Sequence, residues 1–396
     1  MDFFDNRCFR LNKILTCIIG QWPYQSKKET IIISSIYLIM NLSLVIVMIT
    51  GLVTLDLNFD DILNSVTNIM TCITIGVKLI NCILNKKKMK YLLNSFETNW
   101  MMMSETEIEI MQECSDSGKI IIVLYAVLVY SSMSLFFITT YTPQVLDIIK
   151  PLNESRPRKK VYRTNYYLID GDKYFYTLLM HEQLGYILNM TTLICVDTMY
   201  VKYVEHICGM FSILRYRIEN VMKIFDMDFS KCCTSKQNEQ ITREVSHCIA
   251  YHRKAIRCAE CVESIYGLAL FIELTISMIL LSATGYVAAV KLGTFDEFFQ
   301  MIPFASAQVV HLFYNSLPGQ QLINSSEAIG DSVSSAQWYR MPIKAQKLLI
   351  LLMIRSFHRP CTIQAFGGIF TLSMESFSSG MKTSVSYFTV LLSMTE

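Results

Sequence analysis

Charge is scarce in this chain. Only 17% of its 396 residues are Asp, Glu, Lys or Arg, against about 25% in an ordinary soluble domain. Proline and glycine are scarce too, at 8 and 15 residues, which argues against collagen-like repeats and low-complexity disorder. Neither sign of charge dominates. The 35 basic and 33 acidic residues leave a formal +2, so the chain has no electrostatic footprint for nucleic acid. The 13 cysteines are an odd number without framework spacing, which argues against a disulfide-stapled secreted scaffold. There is no Gly-rich phosphate loop, nucleophile elbow or paired-carboxylate motif, so nothing supports an enzyme.

What is abundant is apolar surface. Hydrophobic residues make up 52% of the chain, and mean hydropathy is +0.35. Those values place it among polytopic membrane proteins. A helix crosses the hydrocarbon core with about 20 mostly apolar residues. Seven such runs lie at 31–53, 62–84, 120–141, within 178–214, 262–290, 298–317 and within 361–394. The fourth is the weakest, because it contains Asp197, Lys202 and Glu205. Asp2 and Asp5 precede an apolar run that starts only at Ile31, so the first run reads as an uncleaved anchor and not as a signal peptide.

The distribution of Lys and Arg orients the spans. With the N-terminus inside, 24 of them fall in cytoplasmic segments and 8 outside, while Lys78, Lys202 and Lys382 lie within spans. Seven spans then leave the C-terminus outside. The basic loop around Arg156 to Arg163 is the exception to the count. It carries Asn153-Glu154-Ser155, a glycosylation acceptor that must face outward to be used, so Asn153 is the expected modification site. A G-protein-coupled receptor has the opposite orientation. No Asp-Arg-Tyr follows Thr139-Thr140-Tyr141, and the seventh run has no Asn-Pro-x-x-Tyr.

Two polar segments have helical periodicity. Ile241, Val245, Ile249, Ile256 and Ala259 predict an amphipathic helix over 237–261 that runs into the fifth span, and 325–359 behaves similarly. Their apolar faces pack within the subunit, lie on the membrane, or join subunits together. His181, Glu182 and Asp197 do not share a helical face, and Cys258-x-x-Cys261 has no second pair, so no metal site and no cofactor are expected.

The last 70 or so residues carry the most specific signal. Gln337-Trp338-Tyr339 is followed by Lys347, Met353, Arg355 and Pro360. The tail reads Ser384-Val385-Ser386-Tyr387-Phe388-Thr389-Val390-Leu391. This pattern resembles the insect odorant receptors. The related gustatory receptors carry Gln-Phe where Ser393 and Met394 stand here, so they resemble it less.

The resemblance implies an all-α, seven-span subunit of a tetrameric, ligand-gated cation channel. Its partners would be a shared co-receptor, a small apolar odorant and membrane lipid, with no nucleic acid. It would sit in the plasma membrane of a sensory dendrite. The short loop between the fourth and fifth spans fits a tuning subunit and not the co-receptor, which carries a large insertion there. Residues 1–30 would be a cytoplasmic N-terminus, 31–317 the first six spans with the ligand pocket, 318–360 a cytoplasmic anchor, and 361–396 the pore-lining end. Val390, Ser393 and Met394 would line the pore, and Trp338, Tyr339 and Tyr387 would anchor subunits. The pocket would lie in the outer half of the membrane. There the sequence offers Ile69, Ile73, Tyr130, Met133, Phe136, Phe137, Tyr186, Asn189, Met190 and Leu193. Aromatic and Met side chains adapt to varied small ligands. The remaining alternatives are a gustatory-type channel subunit, a G-protein-coupled receptor and a transporter, although no internal repeat supports the last.

Overall fold

A computed structural model describes the chain except residues 1–2, 7, 151–155, 157–161, 168, 172, 222–234, 291–294, 366 and 394–396. Asn153 and Met394 therefore lie outside the described residues. The elements in chain order are α1 (Arg10–Ile18), α2 (Lys27–Thr54), α3 (Phe59–Trp100), α4 (Glu105–Ile149), α5 (Phe175–Asn220), α6 (Ser235–Val290), α7 (Phe295–Ser335), α8 (Ile343–His358), β1 (Gln364–Ala365), β2 (Phe370–Thr371) and α9 (Met374–Ser393). The two strands form one antiparallel hairpin in the register Gln364 to Thr371 and Ala365 to Phe370.

Helices α2 to α6 are each long and apolar enough to cross a membrane. Helix α2 is inside-out relative to a soluble helix. Thr30, Ser34 and Asn41 are buried, while Ile31, Ile32, Ile39 and Leu42 are exposed. That inversion is what a hydrocarbon solvent selects, because every buried polar group must find a partner inside the protein.

Helix α5 is the hub and packs against α1, α2, α3, α4, α6 and α7. Its position explains the charges that made the fourth span look weak. Asp197, Lys202 and Glu205 are all buried in protein, so none of them meets lipid. Lys202 donates to the Ser115 hydroxyl (2.6 Å) and to Glu205 (3.1 Å).

The helices outrun the expected spans on the cytoplasmic side. Helix α3 continues past Lys86, Lys87 and Lys88 to Trp100, because Met89, Leu92, Leu93 and Phe96 keep one apolar face and bury it. Helix α6 is a single 56-residue rod from Ser235 to Val290, as the periodicity over 237–261 predicts. Ile241, Val245, Ala255 and Ala259 bury that face inside their own subunit. Among them His252 lies 5.8 Å from the Phe211 ring. Burial, helped by nearby Arg355, pushes its imidazole down to about 4, so it is neutral at cytosolic pH. At the start of α4, the Glu107 carboxylate accepts the Ser104 N–H (3.0 Å) and Arg217 Nε (2.5 Å), tying α4 to the end of α5.

The helix that holds the sixth run does not end with it, and the 325–359 segment departs from the sequence expectation. Helix α7 runs on to Ser335, and Gly319 lets the Leu372 backbone press directly against it, where any Cβ would collide. The 325–359 segment is not one helix. Gln337 adopts φ 49°, and the chain turns through Trp338–Arg340 into α8.

Candidate functional site

The outer ends of α2, α3, α4 and α5 enclose an apolar cluster separate from the main core. Leu44 and Met48 come from α2, Ile69 and Cys72 from α3, and Phe175 and Leu179 from α5, with Tyr162 added from the α4–α5 connection. Tyr186 packs against this cluster. Its ring sits 5.7 Å from Phe136, 5.8 Å from Phe137 and 6.2 Å from Tyr162. The last two contacts are edge-to-face, an arrangement aromatic quadrupoles favour. Gly185 lets α5 approach Leu44 of α2 without a clash.

A polar layer lies beneath the rings. Asn41 Nδ2 donates to the Cys72 carbonyl (3.1 Å) and to Asn189 Oδ1 (2.9 Å), and Asn189 Nδ2 reaches Cys72 Sγ (3.5 Å). Tyr130 and Thr191 pair their hydroxyls at 3.1 Å. The structure therefore brings Ile69, Phe136, Phe137, Tyr186 and Asn189 into one region, with Tyr130 on the neighbouring α4–α5 seam. Met133, Met190 and Leu193 are half-buried. Ile73 is 40% exposed, which makes it the weakest member of the expected set.

Deeper in the bundle lies a second feature, which the sequence disclosed only in part. Lys78 of α3 is buried between two carboxylates. It pairs with Asp197 of α5 and, at 2.5 Å, with Glu273 of α6. His311 Nε2 of α7 approaches the same two carboxylates at 2.9 and 2.8 Å. Tyr125 donates to Asp197 (2.9 Å), and Asn315 donates to Glu273 (3.0 Å). Tyr125 and Tyr314 stack at 3.8 Å over the group. Asp197, Glu273 and His311 hold their donor atoms within 4.8 Å of one another, as metal ligands would. The cation bonded to both carboxylates is the Lys78 ammonium. Five helices meet in this cluster. Lys78 and Asp197 stood out in the sequence as charges within apolar runs. Glu273 and His311 did not, although Glu273 interrupts the fifth run in the same way.

The expected pore helix is held on one side only. Helix α9 packs against α6 and α7, with Phe388 over Gly285, and Ser384 and Ser282 exchange hydrogen bonds with α6 and α9 carbonyls (3.2 and 3.1 Å). Its other face leaves Val385, Tyr387 and Val390 exposed, and Tyr339 of the turn before α8 is exposed as well. Trp338 is half-buried against the core. Ser393 ends the helix and bonds back to the Val390 carbonyl at 2.9 Å.

A model of the family described as 7tm Odorant receptor matches residues 58–385. The chain belongs to this odorant receptor family. Odorant receptor 13a of Drosophila melanogaster is 24% identical over 331 residues, covering 80% of this chain and 76% of that protein. The odorant receptor coreceptor of the same fly is 23% identical over 159 residues, covering 40% of this chain and 32% of that protein. A solved structure of the insect olfactory receptor OR5 from Machilis hrabei, in complex with eugenol, superposes with a TM-score of 0.78. It is 16% identical and covers 97% of each chain.

This odorant receptor is thus an all-α, seven-span membrane protein of the tuning type, the odorant-binding subunit of a ligand-gated channel. The gustatory and G-protein-coupled alternatives are not favoured. His181 is hydrogen-bonded to Tyr166 (2.8 Å) and Ser43 (3.0 Å).

Proposed function

We propose that this receptor assembles with the shared co-receptor into a tetrameric, cation-selective channel of the sensory-neuron plasma membrane, opened by a small apolar odorant. The one-sided packing of α9 is the observation that carries this reading. The free face of α9 mixes exposed Lys382, Thr383, Ser386 and Thr389 with Val385, Tyr387 and Val390, and a charged and polar face within a span suits a water path or other subunits better than lipid. The match to the fly co-receptor supports a related partner, and the count of basic residues supports a cytoplasmic N-terminus with 318–360 as the inner anchor. Exposed apolar residues on α8, Ile343, Leu351 and Ile354, offer a further seam for neighbouring subunits.

The odorant site is the aromatic cluster around Tyr186. The eugenol bound to the related Machilis receptor is itself a small aromatic molecule, and it supports this kind of pocket here. Each buried methylene adds about 0.8 kcal/mol, so ligand length is sensed without hydrogen bonds. Odorant opens the channel by binding the open state better than the closed one. A ring of apolar side chains at Val390 closes the path by excluding water, and an outward shift of α9 rewets it.

Val390→Cys, co-expressed with the co-receptor, tests this directly. A membrane-impermeant thiol reagent is expected to cut the odorant-evoked current by more than half, and to react faster while odorant is present. A variant that reaches the surface and responds to odorant, yet loses no current to the reagent in either state, would remove Val390 from the conduction path.

A further inference from the structure

In sequence, the connection between α4 and α5 is a basic loop with a glycosylation acceptor. The structure gives residues 162–166 a different character. They form a strap laid across the outer end of the aromatic cluster and fixed at many points. The Glu182 carboxylate, only 1% exposed, accepts the Thr164 hydroxyl (2.5 Å) and the Tyr162 N–H (3.4 Å). The Asn165 N–H donates to the Val47 carbonyl of α2 (3.2 Å), and its side-chain amide donates to Thr54 (2.6 Å). Thr50 donates to the Asn165 carbonyl. Tyr166 holds His181 at 2.8 Å. The Arg163 carbonyl lies so close over Gly51 that a Cβ there would collide with it.

A loop side chain ordinarily faces water. Tyr162 does not. It is 6% exposed and belongs to the same cluster as Leu44, Met48 and Ile69. Its ring meets Tyr186 at 6.2 Å and 61°. Tyr186 is thus surrounded by three rings, from α4 twice and from the strap once. Two of these contacts, with Phe137 and Tyr162, are edge-to-face; a bound aromatic ring can join that arrangement, whereas an aliphatic chain cannot reproduce the quadrupole contact.

We propose that Tyr162 is a specificity-determining residue, the outer wall of the odorant site, and that this wall selects small aromatic odorants over aliphatic ones of equal size. The proposal rests on the assignment of the site to the cluster around Tyr186. The backbone hydrogen bonds of the strap set the distance of the wall, and Gly51 allows the strap to come down onto α2.

The test uses the full chain co-expressed with the co-receptor, with surface labelling of each variant. The probes are acetophenone and benzaldehyde against 2-heptanone and 1-octanol. Tyr162→Leu is expected to raise the half-maximal concentration of the aromatic pair about tenfold and to change the aliphatic pair less than twofold. Tyr162→Phe should keep the wild-type ranking. Gly51→Val, which lifts the strap without touching the cluster, should shift the ranking in the same direction as Tyr162→Leu. If Tyr162→Leu fails to reach the surface, Tyr162→Met carries the same comparison. An unchanged ranking in these variants, while Tyr186→Leu alters it, would reduce the strap to a structural clasp. An unchanged ranking in all of them, Tyr186→Leu included, would instead show that the odorant site lies elsewhere.

Discussion

Replacing Lys78 with methionine is expected to abolish odorant-evoked current and to cut surface receptor to less than a tenth of wild type. The substitution keeps side-chain length but removes the ammonium that joins Asp197 and Glu273. Two carboxylates would then face each other inside the membrane with only His311, Tyr125 and Asn315 to serve them. Breaking a buried ion pair on one side costs about 3–5 kcal/mol, a large part of the total stability of a domain. The cost falls where α3, α4, α5, α6 and α7 meet, so no local adjustment relieves it. The triple variant Lys78→Met, Asp197→Asn, Glu273→Gln removes the charges together and should recover much of the surface signal, because neutral amides of the same shape are far cheaper to bury. Surface biotinylation and size-exclusion profiles in detergent read both outcomes. Wild-type levels for Lys78→Met alone would mean that the cluster does not hold the bundle.

Truncation of Tyr186 should have the second largest effect. Tyr186→Ala removes the ring that Phe136, Phe137 and Tyr162 all contact. An aromatic pair contributes about 0.5–1.5 kcal/mol beyond its buried area, and about 1.4 kcal/mol is tenfold in affinity. Losing the ring and its area should raise the odorant threshold roughly 10- to 100-fold and reorder the ligand series. Phe136→Ala should act in the same direction and more weakly, since Phe136 is 38% exposed. Dose–response curves normalised to surface receptor measure this. Unchanged threshold and ranking in both variants would contradict the pocket assignment.

The sequence disclosed these features unevenly, for physical reasons. Spans were legible because hydrocarbon solvent demands long apolar runs, and α2 and α6 follow that demand closely. Helix ends on the cytoplasmic side were not. The basic run Lys86, Lys87 and Lys88 looked like a stop, yet a helix in water continues as long as one face stays apolar, and Met89, Leu92, Leu93 and Phe96 supply that face. The aromatic cluster was partly legible, because Phe136, Phe137 and Tyr186 lie on periodic helices. Tyr162 was not, because nothing in a loop's sequence tells which side chain folds inward. The ion cluster was the hardest to see. Its members come from separate helices, and partners so far apart in the chain leave no spacing to read.

The amphipathic segments show how a periodic face can have more than one outcome. The face over 237–261 is used up inside the subunit, whereas α8 keeps Ile343, Leu351 and Ile354 outside. Only the second of these remains free to meet a neighbour.

The most direct test of the central claim is current recorded from cells expressing this chain alone, the co-receptor alone, or both, against one panel of aromatic and aliphatic volatiles. The account predicts inward cation current that follows the odorant ranking of this chain and appears only when both subunits are present. A robust odorant-evoked current from this chain alone would contradict the heteromer. An odorant ranking in the pair that is unmoved by substitutions around Tyr186 would contradict its role as the odorant-binding subunit.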